Sequence, residues 1–289
     1  GLNIVFGIDT TTAAAISGIL GILLFASPKM GGVLDNTAKV LGTVMLVLIG
    51  YVAFSTNPPV AEAATHAIVP TNYPWLATIT LIGGTVGGYI TFSGGHRLID
   101  AGITGREHLK DVRRAAFMGM SVDAIVRILL FLAVLGVVSM GFALDPKDPA
   151  GSAFLLGAGE IGHKLFGIVF FCAALTSVVG AAYTSVSFLK TLFKVVERYE
   201  KLTIMAFIFV STCILIFIGK PATLLIVAGS VNGLILPVTL AVMLLATRKT
   251  NIVGDYKHNP ILFYTGWIVV LVTAYIGVTS LQGIAKLLG

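Results

Sequence analysis

Charged side chains are scarce in this 289-residue chain. Only 11% of its residues are Asp, Glu, Lys or Arg, against about 25% in a typical soluble domain. Hydrophobic residues make up 56% of the sequence, and the mean hydropathy is +0.97. This balance excludes an ordinary soluble globular protein. It indicates a polytopic membrane protein, since about 20 apolar residues are enough to span the hydrocarbon core of a bilayer.

Catalytic and nucleotide-binding motifs are also missing. The sequence contains no C-x-x-C, H-E-x-x-H, P-loop or G-x-S-x-G, so nothing in it supports hydrolysis or ATP use. Residues 157–162 fit G-x-G-x-x-G, but no βαβ unit surrounds them, as a dinucleotide site requires. We therefore predict a protein that is not an enzyme, needs no cofactor and draws its energy from an ion gradient.

Cysteine is rare as well. The chain has two, Cys172 and Cys213, and both fall in apolar segments. Free cysteine behaves as a small hydrophobic residue in such surroundings. We predict that the two serve that role and form neither a disulfide nor a metal pair.

Long apolar runs are abundant. Eight can be drawn, at residues 11–27, 38–56, 74–95, 118–142, 154–190, 202–219, 221–247 and 260–283. The fifth is longer than a span needs, which predicts a lead-in piece from Phe154 and a cytoplasmic extension from Lys190 to Lys201. The predicted fold is an all-α polytopic membrane protein with about eight transmembrane helices, in which residues 1–289 form a single transmembrane domain.

The basic residues give the orientation. Fourteen of the nineteen Lys and Arg residues lie in the first, third, fifth and seventh connections, and cytoplasmic loops are the ones that retain such an excess. Both ends then face the outside of the plasma membrane, and an outward start at Gly1 leads us to expect further spans upstream. The net charge of +6 predicts contact with anionic membrane lipids rather than with nucleic acid.

Glycine is concentrated in one unusual place. Six of the fourteen residues from 82 to 95 are glycine, although each costs about 0.8–1 kcal/mol relative to alanine inside a helix. One interpretation is close helix packing, because Gly83 with Gly87 and Gly84 with Gly88 form small-xxx-small pairs. The other is a hinge at Gly87 and Gly88 that leaves carbonyl groups and helix ends free to bind a substrate.

The same stretch resembles a known family. Residues 82–86, Ile-Gly-Gly-Thr-Val, followed by a basic loop, resemble the sixth span of the Nramp family of proton-coupled divalent-metal carriers. Residues 175–183, Leu-Thr-Ser-Val-Val-Gly-Ala-Ala-Tyr, resemble its eighth span, Leu236-Pro237 its tenth, and residues 264–267, Tyr-Thr-Gly-Trp, its final spans. The resemblance covers essentially the whole chain, which corresponds to spans four to eleven of an eleven-span carrier.

The resemblance implies an inverted-repeat carrier of the LeuT type, in which two broken helices meet at mid-membrane. This chain would hold the second broken helix, while the first, with its Asp-Pro-Gly signature, belongs upstream. Gly84 stands in place of an alanine whose carbonyl binds the metal. Where the family has Met-Pro-His, however, this chain has Gly87-Gly88-Tyr89, and the family's glutamine falls near Gly229.

These departures leave two substrates open. The family default is a divalent metal cation taken up with protons by alternating access. The alternative is a small organic solute, amino-acid-like or a carboxylate such as oxoproline. A protein of another class, a non-transporting membrane scaffold whose glycines serve only packing, is the third hypothesis. The predicted substrate-binding residues are Gly84, Thr85, Gly87, Gly88, Tyr89, Gly229 and Asn232, and the Gly84 carbonyl is the predicted metal contact.

Ionisable residues near the spans are candidates for an ion pathway or gate. Asp123 and Arg127 are four residues apart, hence on one helical face, and form either a pair on the ion path or a structural pair. His96 and Asp100 show the same spacing just beyond the glycine cluster. They are interpreted as a cytoplasmic gate or proton acceptor, or as the start of a solvated loop.

Overall fold

The computed structural model describes residues 1–26, 30–86, 95, 98–146 and 148–288, with side chains throughout except at residues 30–38 and 282–288. Over these residues we find α-helices and no β-strand, which confirms the predicted all-α class. The helices are α1 Leu2–Phe6, α2 Thr10–Ala26, α3 Met30–Ser55, α4 Val60–Ile68, α5 Trp75–Thr85, α6 Leu109–Ser139, α7 Pro149–Leu192, α8 Lys194–Arg198, α9 Glu200–Ile218, α10 Pro221–Ala246, α11 Thr250–Val253 and α12 Pro260–Leu288.

Every predicted apolar segment overlaps one of these helices. Five are long and apolar enough to cross a membrane, namely α6, α7, α9, α10 and α12, and a sixth span is obtained if the bent pair α3 and α4 counts as one. Two further segments hold the shorter apolar helices α2 and α5. The described residues thus support a polytopic membrane protein, with fewer full-length helices than the eight predicted spans.

The chain divides into two compact units. The first comprises Gly1–Thr71 and Ile99–Gly219, and the second Asn72–Leu98 and Lys220–Gly289. The first unit has a core between α3, α6 and α7, made by Leu48, Ile49, Val52, Ala53, Ala133, Val137, Phe154 and Phe166. A second cluster in this unit packs α7 against α9 through Ala182, Val186, Ile204 and Ile208.

Helices α3 and α4 meet at a bend of 102°. The bend follows from Pro58 and Pro59, because proline lacks an N–H and disfavours helical backbone in the residue before it. Asn57 has a φ of 46°, and the Thr56 hydroxyl donates to the carbonyl of Val52 at 2.7 Å. The Thr56 side chain thus provides a hydrogen bond to a backbone carbonyl at the end of α3, where the chain changes direction.

Helix α7 contains a break at Gly159, which has a φ of 68° and a ψ of −171°. Glycine adopts this left-handed conformation without the steric penalty of a Cβ. The break separates residues 149–158 from the rest of the helix, which places the junction of the predicted lead-in piece. The α8 helix lies within the predicted extension to Lys201. The G-x-G-x-x-G string thus belongs to a helix break and not to a nucleotide loop.

The second unit is built by α5, α10 and α12, each of which contacts the other two. The start of α5 is fixed by aromatic rings, since Trp75 stacks on Tyr73 at a centroid distance of 5.1 Å and meets Tyr275 of α12 edge-on at 5.7 Å. The interpretation of residues 1–289 as a single domain stays a prediction.

Candidate functional site

Helix α5 meets α10 through glycine. Gly83 is buried, and a Cβ added there would overlap the carbonyl oxygen of Gly229 and the amide nitrogen of Gly233. A Cβ added at Gly233 would in turn lie 2.6 Å from the carbonyl oxygen of Ile79. The two backbones touch with no side chain between them, as small residues permit in membrane helices. The packing interpretation of the glycine cluster therefore applies to Gly83.

A pair of hydroxyl groups lies beside this contact. The oxygens of Thr80 on α5 and Ser230 on α10 are 2.8 Å apart, and Ser230 is fully buried. Each hydroxyl also lies 2.7 Å from a carbonyl of its own helix, at Leu76 and Ile226. Hydrogen bonds between membrane helices are worth about 0.6 kcal/mol on average. This one fixes the register of α5 on α10.

The predicted binding residues of α5 differ from Gly83 in their surroundings. Gly84 and Thr85 are exposed, and a Cβ at Gly84 would have no described neighbour within 4 Å. Thr85 is the last residue of α5, and the carbonyl end of a helix is the negative end of its dipole. An arrangement of this kind suits a cation or a hydrogen-bond donor. The predicted contributors Gly87, Gly88 and Tyr89 lie outside the described residues.

The two predicted binding residues of α10, Gly229 and Asn232, differ in burial. Gly229 is buried, and a Cβ there would lie 2.9 Å from the carbonyl oxygen of Thr80. Asn232 is only partly buried. Pro237, inside α10, has no N–H to donate to the carbonyl four residues earlier, at Gly233. The prediction missed Gly233, although the G-x-x-x-G spacing from Gly229 and the later proline both single it out.

Asp123 and Arg127 form the predicted pair on α6. The guanidinium Nε lies 2.7 Å from the Asp123 carboxylate, and both side chains are about half exposed within this chain, at 44% and 50%. The i,i+4 spacing accounts for the contact. Their role in an ion pathway stays a prediction, and His96 lies outside the described residues.

Asp100 belongs to a polar network in the first unit. Its carboxylate accepts from the Ser187 hydroxyl at 2.7 Å and from the Tyr183 hydroxyl at 3.4 Å, and lies 3.2 Å from the Lys190 ammonium. The same ammonium lies 3.4 Å from Glu200, at the start of α9. The Ser187 hydrogen bond, aided by Lys190, holds the pKa of Asp100 below its ordinary value. The network ties the segment before α6 to the ends of α7 and α9.

The lowered pKa predicts how stability depends on pH. A carboxyl group whose folded-state pKa is depressed adds stability that is complete above its ordinary pKa of 3.8 and is lost as the pH falls through the folded value. Asp100→Asn should therefore lower the unfolding temperature of the detergent-solubilised protein at about pH 7. The difference from wild type should shrink below about pH 4.

The exposed Asp123→Asn provides a charge-matched control and should have a smaller effect at about pH 7, since half-exposed ion pairs contribute little. A wild-type advantage over Asp100→Asn that stays constant down to about pH 3 would contradict the assigned cause. Calorimetry or intrinsic fluorescence during heating measures both variants.

Two further predictions concern cysteine and metal. Cys172 and Cys213 are free and partly buried, and their role as small hydrophobic residues stays a prediction. Within the described ranges, His, Cys, Asp and Glu do not form a group of three or more that could hold a metal ion.

Comparisons with known proteins agree with the architecture. A sequence model of the family described as Nramp, natural resistance-associated macrophage protein-like, matches residues 1–282. The chain is 50% identical over 274 residues to an uncharacterized membrane protein of Haemophilus influenzae, covering 95% of this chain and 69% of that protein. It is 48% identical over 281 residues to the uncharacterized membrane protein YcsG of Bacillus subtilis, covering 97% of this chain and 70% of that protein.

Proposed function

Because this chain belongs to the Nramp family, a family of membrane transporters, we propose that it moves a divalent metal cation across the membrane together with protons. The transport cycle is alternating access on an inverted-repeat scaffold, in which a central site opens to one side and then to the other. The five long apolar helices support the membrane setting. The absence of nucleotide motifs from the sequence favours an ion gradient as the energy source.

The observation that most strongly supports this proposal is the contrast between neighbouring glycines on α5. Gly83 is packed against the backbone of α10, whereas no described atom lies within 4 Å of the Cβ position of Gly84, near the end of the helix. Helix α5 is thus packed against α10 on one side, and we propose that the negative end of its dipole faces the cation. In the proposed site, the Gly84 carbonyl and the Thr85 hydroxyl contribute oxygens to the substrate.

The remaining contributors complete the site. The proposed hinge is Gly87-Gly88, with Tyr89 next to it as a hydroxyl donor or acceptor. Asn232 provides an amide from α10, beside the packed Gly229. Asp123, Arg127 and His96 are proposed for the ion pathway or gate. We also propose the plasma membrane as the location, with the basic connections in the cytoplasm and both ends outside.

A small organic solute is the second candidate, and the residues Gly87-Gly88-Tyr89 are what favour it. Methionine is a soft ligand suited to transition metals, and this sequence replaces it with glycine, which also leaves more room. An amino-acid-like or carboxylate solute would bind through backbone groups and hydroxyls at the helix end. The site residues are the same for both candidates, so the substrate is decided by measurement.

Flux through the full-length protein tests the proposal. In proteoliposomes with an inward proton gradient, we expect uptake of Mn²⁺, detected by an entrapped fluorophore. Mg²⁺ and a small carboxylate are measured in parallel. Carboxylate uptake without Mn²⁺ uptake would establish the organic solute. If no solute is transported under any gradient, the transport proposal is wrong and the non-transporting scaffold is favoured.

The hinge is tested by two substitutions at one position. Gly87→Leu should reduce uptake at least about tenfold, because a bulky β-carbon side chain restricts the backbone that the hinge uses. Gly87→Ala, the matched control, should retain more of the activity. Both variants are first checked for a single peak in size-exclusion chromatography, and equal loss of folding in both would favour packing over a hinge.

A further inference from the structure

A cationic cavity lies in the second unit, between the end of α10 and the start of α12. Its volume is about 260 Å³, and none of its lining residues is acidic. Arg248 and Lys257 supply fixed positive charge, and Thr247, Thr250, Tyr256 and His258 supply further polar groups. Hydroxyl groups and cationic side chains are the donors that bind phosphate. The cavity is separate from the residues proposed for transport.

The Arg248 side chain is held in place by an aromatic ring. The guanidinium carbon lies 4.2 Å from the centre of the Phe263 ring, a cation–π contact that still leaves the edge of the guanidinium free to donate hydrogen bonds. Within the described residues neither Arg248 nor Lys257 forms an ion pair. No described carboxylate therefore lies within 4.0 Å of either charge, and the acidic residue next to them in the sequence, Asp255, is not among the residues that line the cavity.

The walls of the cavity are formed by an ordered turn. Helix α12 is capped by Asn259, which accepts from the amide of Ile261 through its side chain at 2.9 Å and from the amide of Phe263 through its carbonyl at 3.0 Å. On the other side, the hydroxyl of Tyr256 lies 3.4 Å from Nδ1 of His258. These contacts hold the polar groups of the cavity in position in the absence of a ligand.

The expected position of the cavity at the membrane surface indicates a lipid as its ligand. The α10 helix ends at Ala246 and α12 begins at Pro260, and both are long and apolar enough to span. Because two consecutive spans return the chain to the same side, the connection between them is expected at one membrane surface, where the lipid headgroups are. Anionic headgroups attract basic residues there. We propose that this cavity binds the phosphate group of an anionic phospholipid.

Lipid titration of the detergent-solubilised full-length protein, followed by native mass spectrometry, tests the site. Phosphatidylglycerol should bind more tightly than phosphatidylcholine. The double variant Arg248→Gln, Lys257→Gln should weaken phosphatidylglycerol binding by at least roughly tenfold, because it removes both cationic donors to the headgroup phosphate and one charge-assisted hydrogen bond alone contributes about that factor. The matched control Lys110→Gln, Arg113→Gln removes the same charge at the start of α6 and should change binding less than about twofold.

Two further measurements distinguish a specific binding site from general electrostatic attraction to the membrane. Phe263→Leu keeps every charge but removes the ring beneath Arg248, and should weaken binding by about two- to fivefold. Inorganic phosphate at about 10 mM should not displace the lipid. The proposal is overturned if the control variant loses as much affinity as the site variant, if Phe263→Leu binds like wild type, or if inorganic phosphate displaces the lipid.

Discussion

Gly83→Ala is expected to destabilise the protein by about 3 kcal/mol or more, the upper range for overpacking a close contact. The added methyl group would overlap the Gly229 carbonyl and the Gly233 amide. These are backbone atoms of α10, and they cannot rotate away as a side chain can. To accept the methyl group, the two helices would have to separate, which would also break the hydroxyl contact between Thr80 and Ser230.

Gly84→Ala is the matched control, because it adds the same methyl group one residue later. A Cβ there meets no described atom within 4 Å, so the unfolding temperature should change little, and alanine keeps the carbonyl proposed to bind substrate. Heating of both variants in detergent, monitored by fluorescence, measures the difference. Equal losses at Gly83 and Gly84 would contradict the assigned cause, because helix propensity favours alanine at both positions and only Gly83 contacts α10.

Lys190→Glu is expected to have the second-largest effect, a loss of about 1–3 kcal/mol in stability. The range lies below the value for fully buried ion pairs, because these side chains keep partial access to solvent. In the native network the Lys190 ammonium lies between Asp100 and Glu200, at 3.2 and 3.4 Å. The substitution would place three carboxylates together and remove the only cation among them in this described network.

Lys194→Glu reverses the same charge four residues later, at an exposed position of α8. No described ion pair includes Lys194, so this variant should unfold within about 1 °C of wild type. Raised salt should partly relieve the loss in Lys190→Glu, because it screens the carboxylate repulsion. A loss of equal size in Lys194→Glu would attribute the effect to net charge instead of the network.

Hydropathy predicted where the helices are but not where all of them begin. The fourth apolar segment was predicted from residue 118, yet its helix α6 begins at Leu109, because Lys, Arg and Ala favour helix as strongly as many apolar residues do. The break in α7 was anticipated from the excessive length of its segment. The break lies at Gly159 because of the backbone conformation there. Gly157 and Gly162 are close by, and the sequence alone does not show which of these glycines adopts it.

The polar contacts were less predictable than the spans. Asp123 and Arg127 were paired correctly, because the i,i+4 rule operates within one helix. Asp100 and Lys190, by contrast, are 90 positions apart in the sequence, and only the packing of the chain brings them together. The adjacent Gly83 and Gly84 also appeared equivalent in the sequence, and the rotation of α5 against α10 is what distinguishes them.

The contact between α5 and α10 has a mechanical consequence. Side chains at a helix interface can change rotamer and absorb a small displacement, but Gly83, Gly229 and Gly233 leave only backbone in contact. A displacement of one helix toward the other therefore cannot be absorbed by side-chain rearrangement at this contact. A movement of α5 toward α10 would therefore displace α10 as well, so that the two helices would move as a pair.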